Sequence, residues 1–330
     1  MPDVQAVVGA VDRFQQRHGP TAFGFAVVKK FGDDGGGNLA ALITYYGFVS
    51  LFPFLLVAVT VLGYVLEGNE ELQQQILDSA LANFPIIGDQ IQANVGKVHG
   101  SGIGLAIGIV LTLYGALGIA NVAQHAMNRI WGVPMYARPG FFPRTARSLA
   151  VLGTIGLSVL ATTVLTGIAD RYAPGLGARI AIDLVATAFY VGLFTLLFQV
   201  LVAVHVPWRD LIAGSIAAGI AWVLFQTLGV LYVSRVLQGM SQVYGLFALV
   251  LGLFAWISLQ ARAVLYAAEI NAVRVHHLWP RAIAPPLTDA DRRADLSYVR
   301  NEARRHDERV DLRFAEPGAD THRGSEGREQ

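Results

Sequence analysis

The chain has 330 residues, 54% of them hydrophobic and only 15% charged, with a mean hydropathy of +0.47 and a net charge of +1. Soluble domains carry about 25% charged residues, so an ordinary soluble domain is excluded, and the near-zero charge excludes a large nucleic-acid footprint. With no cysteine, disulfides, thiolate metal sites and cysteine nucleophiles are excluded as well.

Residues 1–37 are polar, then mixed. Val7, Val8, Val11 and Phe14 fall at helical spacing, and Phe23, Phe25, Val27, Val28 and Phe31 surround Lys29 and Lys30. This pattern predicts an amphipathic segment lying at the membrane surface, with packing on a neighbouring domain as the alternative. No basic stretch leads into an apolar core within the first 25 residues, so no cleavable signal peptide is expected. Asp33 to Gly37 (DDGGG) reads as a flexible break.

Residues 39–66 carry no charge. A run of about 18 or more such residues is long enough to cross a bilayer, and the absence of period-2 alternation favours helix. Pro53 predicts a kink, because it cannot donate to the carbonyl of Val49; the Ser50 hydroxyl or a neighbouring helix would supply a partner. Residues 67–101 form an acidic loop, with Leu72, Ile76, Leu77, Leu81 and Phe84 in a second amphipathic pattern.

Further spans are expected over 103–122, 148–169, 181–204, 211–233 and 246–273. Gly104, Gly108, Gly115 and Gly118 make a small-residue stripe that lets helices approach closely, with packing inside the chain favoured over dimerisation. A basic loop, 123–147, follows the second span, and tight links join the later ones. The segment 274–330 loses apolar periodicity, with a short charged helix expected over 288–313 and disorder after it.

The resulting architecture is all-α: an interfacial segment (1–37), a six-helix transmembrane domain (38–273) and a charged, partly disordered tail (274–330). Loop Lys and Arg set the orientation. Arg13, Arg17, Lys29, Lys30, Arg129, Arg138, Arg144, Arg147, Arg209, Arg274 and Arg281 share one side, against Lys97, Arg171, Arg179 and Arg235 on the other. Both termini are therefore expected in the cytoplasm.

Four motifs carry a family resemblance. Ile43-Thr44-Tyr45-Tyr46 with Ser50-Leu51-Phe52-Pro53 resembles the first-span signature of the YihY/BrkB inner-membrane proteins. Asn128-Arg129-Ile130-Trp131-Gly132-Val133 is similar to the family's basic-loop motif, and Val206-Pro207-Trp208-Arg209-Asp210 to its turn before span five. Tyr244-Gly245, Trp256 and Ala268-Glu269-Ile270-Asn271-Ala272 match its last span. The resemblance implies a bacterial inner-membrane protein linked to envelope lipid or lipopolysaccharide handling, from a family once labelled ribonuclease BN. Two positions depart from the pattern: Ala267 stands where glycine is frequent, and Arg262 interrupts an apolar stretch.

The residues do not favour an enzyme. The histidines show no HxHxDH or HExxH spacing for a water-activating metal, and DDGGG lacks the lysine of a phosphate loop. No metal or cofactor is expected. Polar groups inside spans are the functional candidates: Arg262 and Glu269 as a charged pair lining a cavity, or else snorkelling and interfacial, with Tyr45, Tyr46, Ser50 and Pro53 at the kink and Gln226 in span five. Arg129, Arg138, Arg144 and Arg147 are candidates for anionic headgroups. Membrane lipids are the expected partners, with a homo-oligomer or envelope proteins open and nucleic acid excluded. The expected function is movement of a lipid or amphipathic solute; the alternative is a non-transporting scaffold for envelope proteins.

Overall fold

The computed structural model describes residues 2–65, 102–172, 176–231 and 246–314, without 309 and 311. Among these residues every regular element is helical. Two short helices lead, α1 (Pro2–Arg17) and α2 (Gly19–Asp33). Long helices follow: α3 (Gly36–Val65), α4 (Gly102–Ile130), α5 (Phe141–Tyr172), α6 (Leu176–Leu201), α7 (Trp208–Leu231) and α8 (Leu246–Val275). A short α9 (Asp289–Asn301) comes last. The predicted acidic loop, with its second amphipathic pattern, and the link at 234–245 lie outside the described residues.

The long helices run from 24 to 32 residues, about 36–48 Å at a rise of ~1.5 Å per residue. Among the described residues, four stretches are long and apolar enough to cross a membrane: Ala106–Ile130, Leu184–Leu201, Trp208–Gln226 and Val250–Val275. They match the second, fourth, fifth and sixth predicted spans; the first and third predicted spans coincide with α3 and α5. The first part of the expected basic loop, 123–130, is the end of α4, because Gln124, Ala126, Met127, Asn128 and Ile130 are buried there.

Consecutive long helices are neighbours from α3 to α8, and α8 returns against α3, so the bundle closes into a ring. Glycines set its tightest crossings. A methyl at Gly115 would overlap Ser50, and one at Gly118 would overlap the Tyr46 ring. The predicted small-residue stripe is therefore the α3–α4 contact at these two positions. Gly214 of α7 likewise leaves no room for a side chain against the carbonyl of Ala267, and its N–H donates to Asn271 Oδ1 of α8 at 2.6 Å. Helix α3 runs unbroken through Pro53. The Ser50 hydroxyl donates to Gly47 O at 3.1 Å rather than to Val49.

The segments before and after the ring meet at one of its ends. Helix α2, expected to lie on the membrane surface, packs instead on α8, with Phe31 stacked on Tyr266 (ring centroids 4.0 Å apart) and Phe23 edge-on to Trp279 at 5.2 Å. Burial of Ala22, Ala26 and Val27 follows. The apolar face of α1, with Val7, Val11 and Phe14, stays exposed. The expected tail helix is shorter than 288–313. It spans Asp289–Asn301, started by a capping box in which Thr288 and Asp291 satisfy each other's backbone N–H groups.

The glycine contacts yield a first prediction. Gly115→Val and Gly214→Val should each destabilise the solubilised protein by about 1–3 kcal/mol through overpacking. Gly192→Ala, with no neighbouring atom within 4 Å, should be neutral or stabilising; thermal denaturation in detergent ranks the three.

Candidate functional site

The capped end contains the densest set of buried ionisable groups. The turn between α2 and α3 is only Asp34 and Gly35, and Gly35 has φ +67°, a conformation that favours glycine. DDGGG is thus a tight turn rather than a flexible break, and it drives Asp34 inward until it is 1% exposed. Lys30, one helical turn earlier, pairs with Asp34 at 2.5 Å, donates to Ile130 O of α4 at 3.0 Å, and lies 3.2 Å from Glu269 Oε2 of α8. Arg129 Nε approaches Asp34 Oδ1 at 3.9 Å. Neither Glu269 oxygen has a hydrogen-bond partner among the described residues. Burial by itself would lower the proton affinity of Lys30, but the carboxylates of Glu269 and Asp34 outweigh it and raise it above the ordinary lysine range. Lys30 therefore stays charged.

A second cluster fastens the two ends of the chain together. Asp291, at the start of α9, accepts from Lys29 Nζ and Arg281 Nε at 2.8 Å, from the Ala282 N–H at 2.9 Å and from the Thr288 hydroxyl at 2.7 Å. Burial pushes its pKa up, but these donors together hold it far below the usual carboxylate range. Arg281 also reaches Asp33 at 2.8 Å, and its carbonyl accepts from Gln15 at 2.6 Å.

Two of the family-type motifs, residues 128–133 and 268–272, lie at this same end. Helix α4 stops in a Schellman turn: Gly132 N–H bonds to Arg129 O, Val133 N–H bonds to Asn128 O, and Gly132 takes φ +66°. Asn128 Oδ1 accepts from the Ala203 N–H at 2.7 Å, which ties α4 to the turn after α6. Helix α8 ends in the same way, with His277 in the left-handed position.

The structure separates several of the sequence candidates. Arg262 and Glu269 lie on nearly one face of α8, but α2 covers that face at Glu269 and leaves it open at Arg262. Glu269 is wholly buried beside Lys30, whereas Arg262 is exposed. They do not form a charged pair. Tyr45 is 53% exposed, Tyr46 packs at the α3–α4 crossing, Ser50 is buried there, Pro53 is half-buried, and Gln226, though exposed, donates to Tyr190 at 2.8 Å. Of the four loop arginines, Arg129 and Arg138 line one cleft. Arg144 lies over the Phe141 ring at 6.0 Å, and Arg147 donates to Val202 O at 3.2 Å. Lys30, Asp34, Arg281 and Asp291 were not among the sequence candidates. Only the i,i+4 spacing of Lys30 and Asp34 hinted at a pair.

The model of the family described as Virulence factor BrkB matches residues 27–287, which includes the second half of α2, the ring and the Arg281 segment. The chain belongs to the BrkB family. A UPF0761 membrane protein of Alteromonas mediterranea is 28% identical to the BrkB-family chain over 252 residues, covering 74% of it and 84% of the relative. The inner membrane protein YhjD of Escherichia coli is 26% identical, over 47% of this chain and 48% of its own. A Bacillus subtilis protein named as ribonuclease-like, YfkH, is 22% identical, over 72% and 90%. No solved structure matches the chain. Among the described residues, no group of three or more His, Asp or Glu side chains could hold a metal ion.

Two predictions concern the cap. Lys30→Met leaves Glu269 buried without a cation and Asp34 with only Arg129 at 3.9 Å, and should cost about 3–5 kcal/mol; Lys30→Met with Glu269→Met should cost less than the two single changes summed. Thermal unfolding of the four proteins measures the coupling. Because the Asp291 pKa is depressed in the fold, its stabilisation is fully present above the unfolded value of about 3.9 and is lost as pH falls from there toward the folded pKa. Proteolysis of 276–314 in detergent should therefore accelerate below about pH 4, and Asp291→Asn should flatten that dependence.

Proposed function

We propose that the protein crosses the inner membrane six times with its capped end in the cytosol, and that it moves a lipid or amphipathic envelope solute across or along the bilayer. Arg262 carries this reading. It sits at the middle of the Val250–Val275 span and continues an exposed stripe otherwise made of Phe247, Leu251, Phe254 and Leu259. A guanidinium at that depth costs about 2.5–3.5 kcal/mol on insertion scales. Water drawn into the membrane or an anionic group travelling along α8 offsets that cost, and a lipid phosphate is such a group.

Two further observations support the reading. Arg144 over Phe141 and Arg209 over Trp208 place cation–aromatic pairs at the starts of α5 and α7, both at the capped end. Exposed aromatic and basic residues suit the headgroup level, and an excess of loop arginine and lysine suits the cytosolic face. The relative YhjD is named an inner membrane protein. In this reading Tyr45, Tyr46, Ser50, Pro53 and Gln226 line or shape the path, and Glu269 with Lys30 anchors its cytosolic end.

Proteoliposomes with a fluorescent phospholipid test the proposal. Arg262→Leu should lower flux by about tenfold or more, equivalent to ~1.4 kcal/mol, while leaving the melting temperature unchanged or raised; Arg262→Lys should retain part of the flux. Wild-type flux in Arg262→Leu would remove the path. Deleting 315–330 spares the fastened cap. Flux that persists after this deletion favours a transporter, whereas a scaffold acting through its tail would show no flux above protein-free liposomes and would lose its partners on deletion.

A further inference from the structure

The cleft at the capped end has a volume of about 260 Å³ and lies between the end of α4, the turn after it and α9. Arg129 enters from α4 and Arg138 from the turn. Neither guanidinium is fully compensated. Asp34 stands 3.9 Å from Arg129 and is already paired with Lys30. Asp33, also on the cleft wall, is held by Arg281 at 2.8 Å. Glu302 is the remaining carboxylate of the wall, and it forms no ion pair among the described residues. Burial and the nearby charge of Arg129 lower the proton affinity of Arg138, and Glu302 offsets this only in part.

Two further polar groups lie buried behind the cleft wall. Arg129 Nε and the Tyr298 hydroxyl are buried with no partner among the described residues. Burial first, then the carboxylates of Asp34 and Asp33, push Tyr298 ionisation far up, so it remains a phenol with a proton to donate. Arg138 spends Nε on Val133 O and Nη1 on His125 Nδ1 at 3.2 Å, which leaves its Nη2 edge. Two guanidiniums on one cleft, with Asp33 and Asp34 already engaged by Arg281 and Lys30, match an oxyanion bearing several acceptor oxygens.

We infer that this cleft binds a phosphate group, with Arg129 and Arg138 as its donors. The shared chemistry is a phosphomonoester dianion, whether free in solution or on a lipid headgroup. The inference extends the headgroup reading of Arg129 and Arg138 and is independent of the Arg262 path. Binding also draws Arg129 toward the cleft and away from Asp34, so occupancy bears on the buried Lys30–Asp34–Glu269 cluster. Glu302 opposes the ligand, so removing its charge tightens binding, an effect that a purely structural role for these residues would not produce.

The test uses the full chain in detergent and in nanodiscs. Inorganic phosphate, titrated at constant ionic strength against sulfate and chloride, should raise the melting temperature of the wild type. Arg138→Gln should weaken this response by about tenfold or more, Arg138→Lys should weaken it less, and Glu302→Gln should strengthen it. A response to phosphate in detergent identifies the free anion as a ligand. A response only to nanodiscs containing phosphatidate, and not to phosphatidylcholine alone, identifies the headgroup. No response to either probe, or an equal response in Arg138→Gln, overturns the inference. Should Arg138→Gln fail to fold, the Glu302→Gln comparison decides: unchanged affinity there overturns it. Loss of lipid flux in Arg262→Leu with phosphate binding intact separates the two proposals.

Discussion

The ammonium of Lys30, buried between Asp34 and Glu269, is the constraint on which the capped end depends. An ion pair removed from water gains little unless its geometry is good, but removing one partner strands the others at a cost of several kcal/mol. The cluster therefore acts less as a source of net stability than as a specification of position. Lys30 must sit over the end of α8 to meet Glu269 and beside the end of α4 to meet Ile130 O. Asp34 must turn inward, which requires the left-handed Gly35. Helix α2 has one place to lie once these contacts form.

The second cluster extends that logic to the chain ends. Asp291 takes donors from α2, from the segment after α8 and from its own capping box, so α9 is fastened by a carboxylate whose acceptor positions are in use. Two of the family-type motifs, residues 128–133 and 268–272, lie nearby and act largely on the backbone. Gly132 permits the turn that ends α4, Asn128 holds the turn after α6, and Asn271 holds the close approach of α7 at Gly214. Their buried polar atoms close helix ends that would otherwise present unpaired groups. The ribonuclease-like name of one relative describes that protein; the motif residues of this chain hold helices together.

Two places remain where cationic charge exceeds what the fold needs. Arg262 stands on the exposed face of a helix apolar enough to cross a bilayer, and Arg129 with Arg138 shares a cleft in which Asp33 is already held by Arg281. Both have the chemistry to meet an anion at a membrane.

The all-helical class, the positions of the long helices, the glycine stripe at Gly115 and Gly118 and the family were legible in the sequence, because each is written locally: apolar run length, helical period, residue size and short motifs in order. The role of α2 was not legible, since an amphipathic face reads alike whether it meets lipid or protein. Nor was the separation of Arg262 from Glu269, which share a helical face by spacing but differ in what lies over it. The ion clusters were hidden for the same reason. Lys29 and Asp291 stand 262 residues apart, and Lys30 meets a carbonyl 100 residues away. Hydropathy and period describe what a segment prefers to be surrounded by, and only the folded ring, by bringing both ends of the chain to one place, decides which charge answers which.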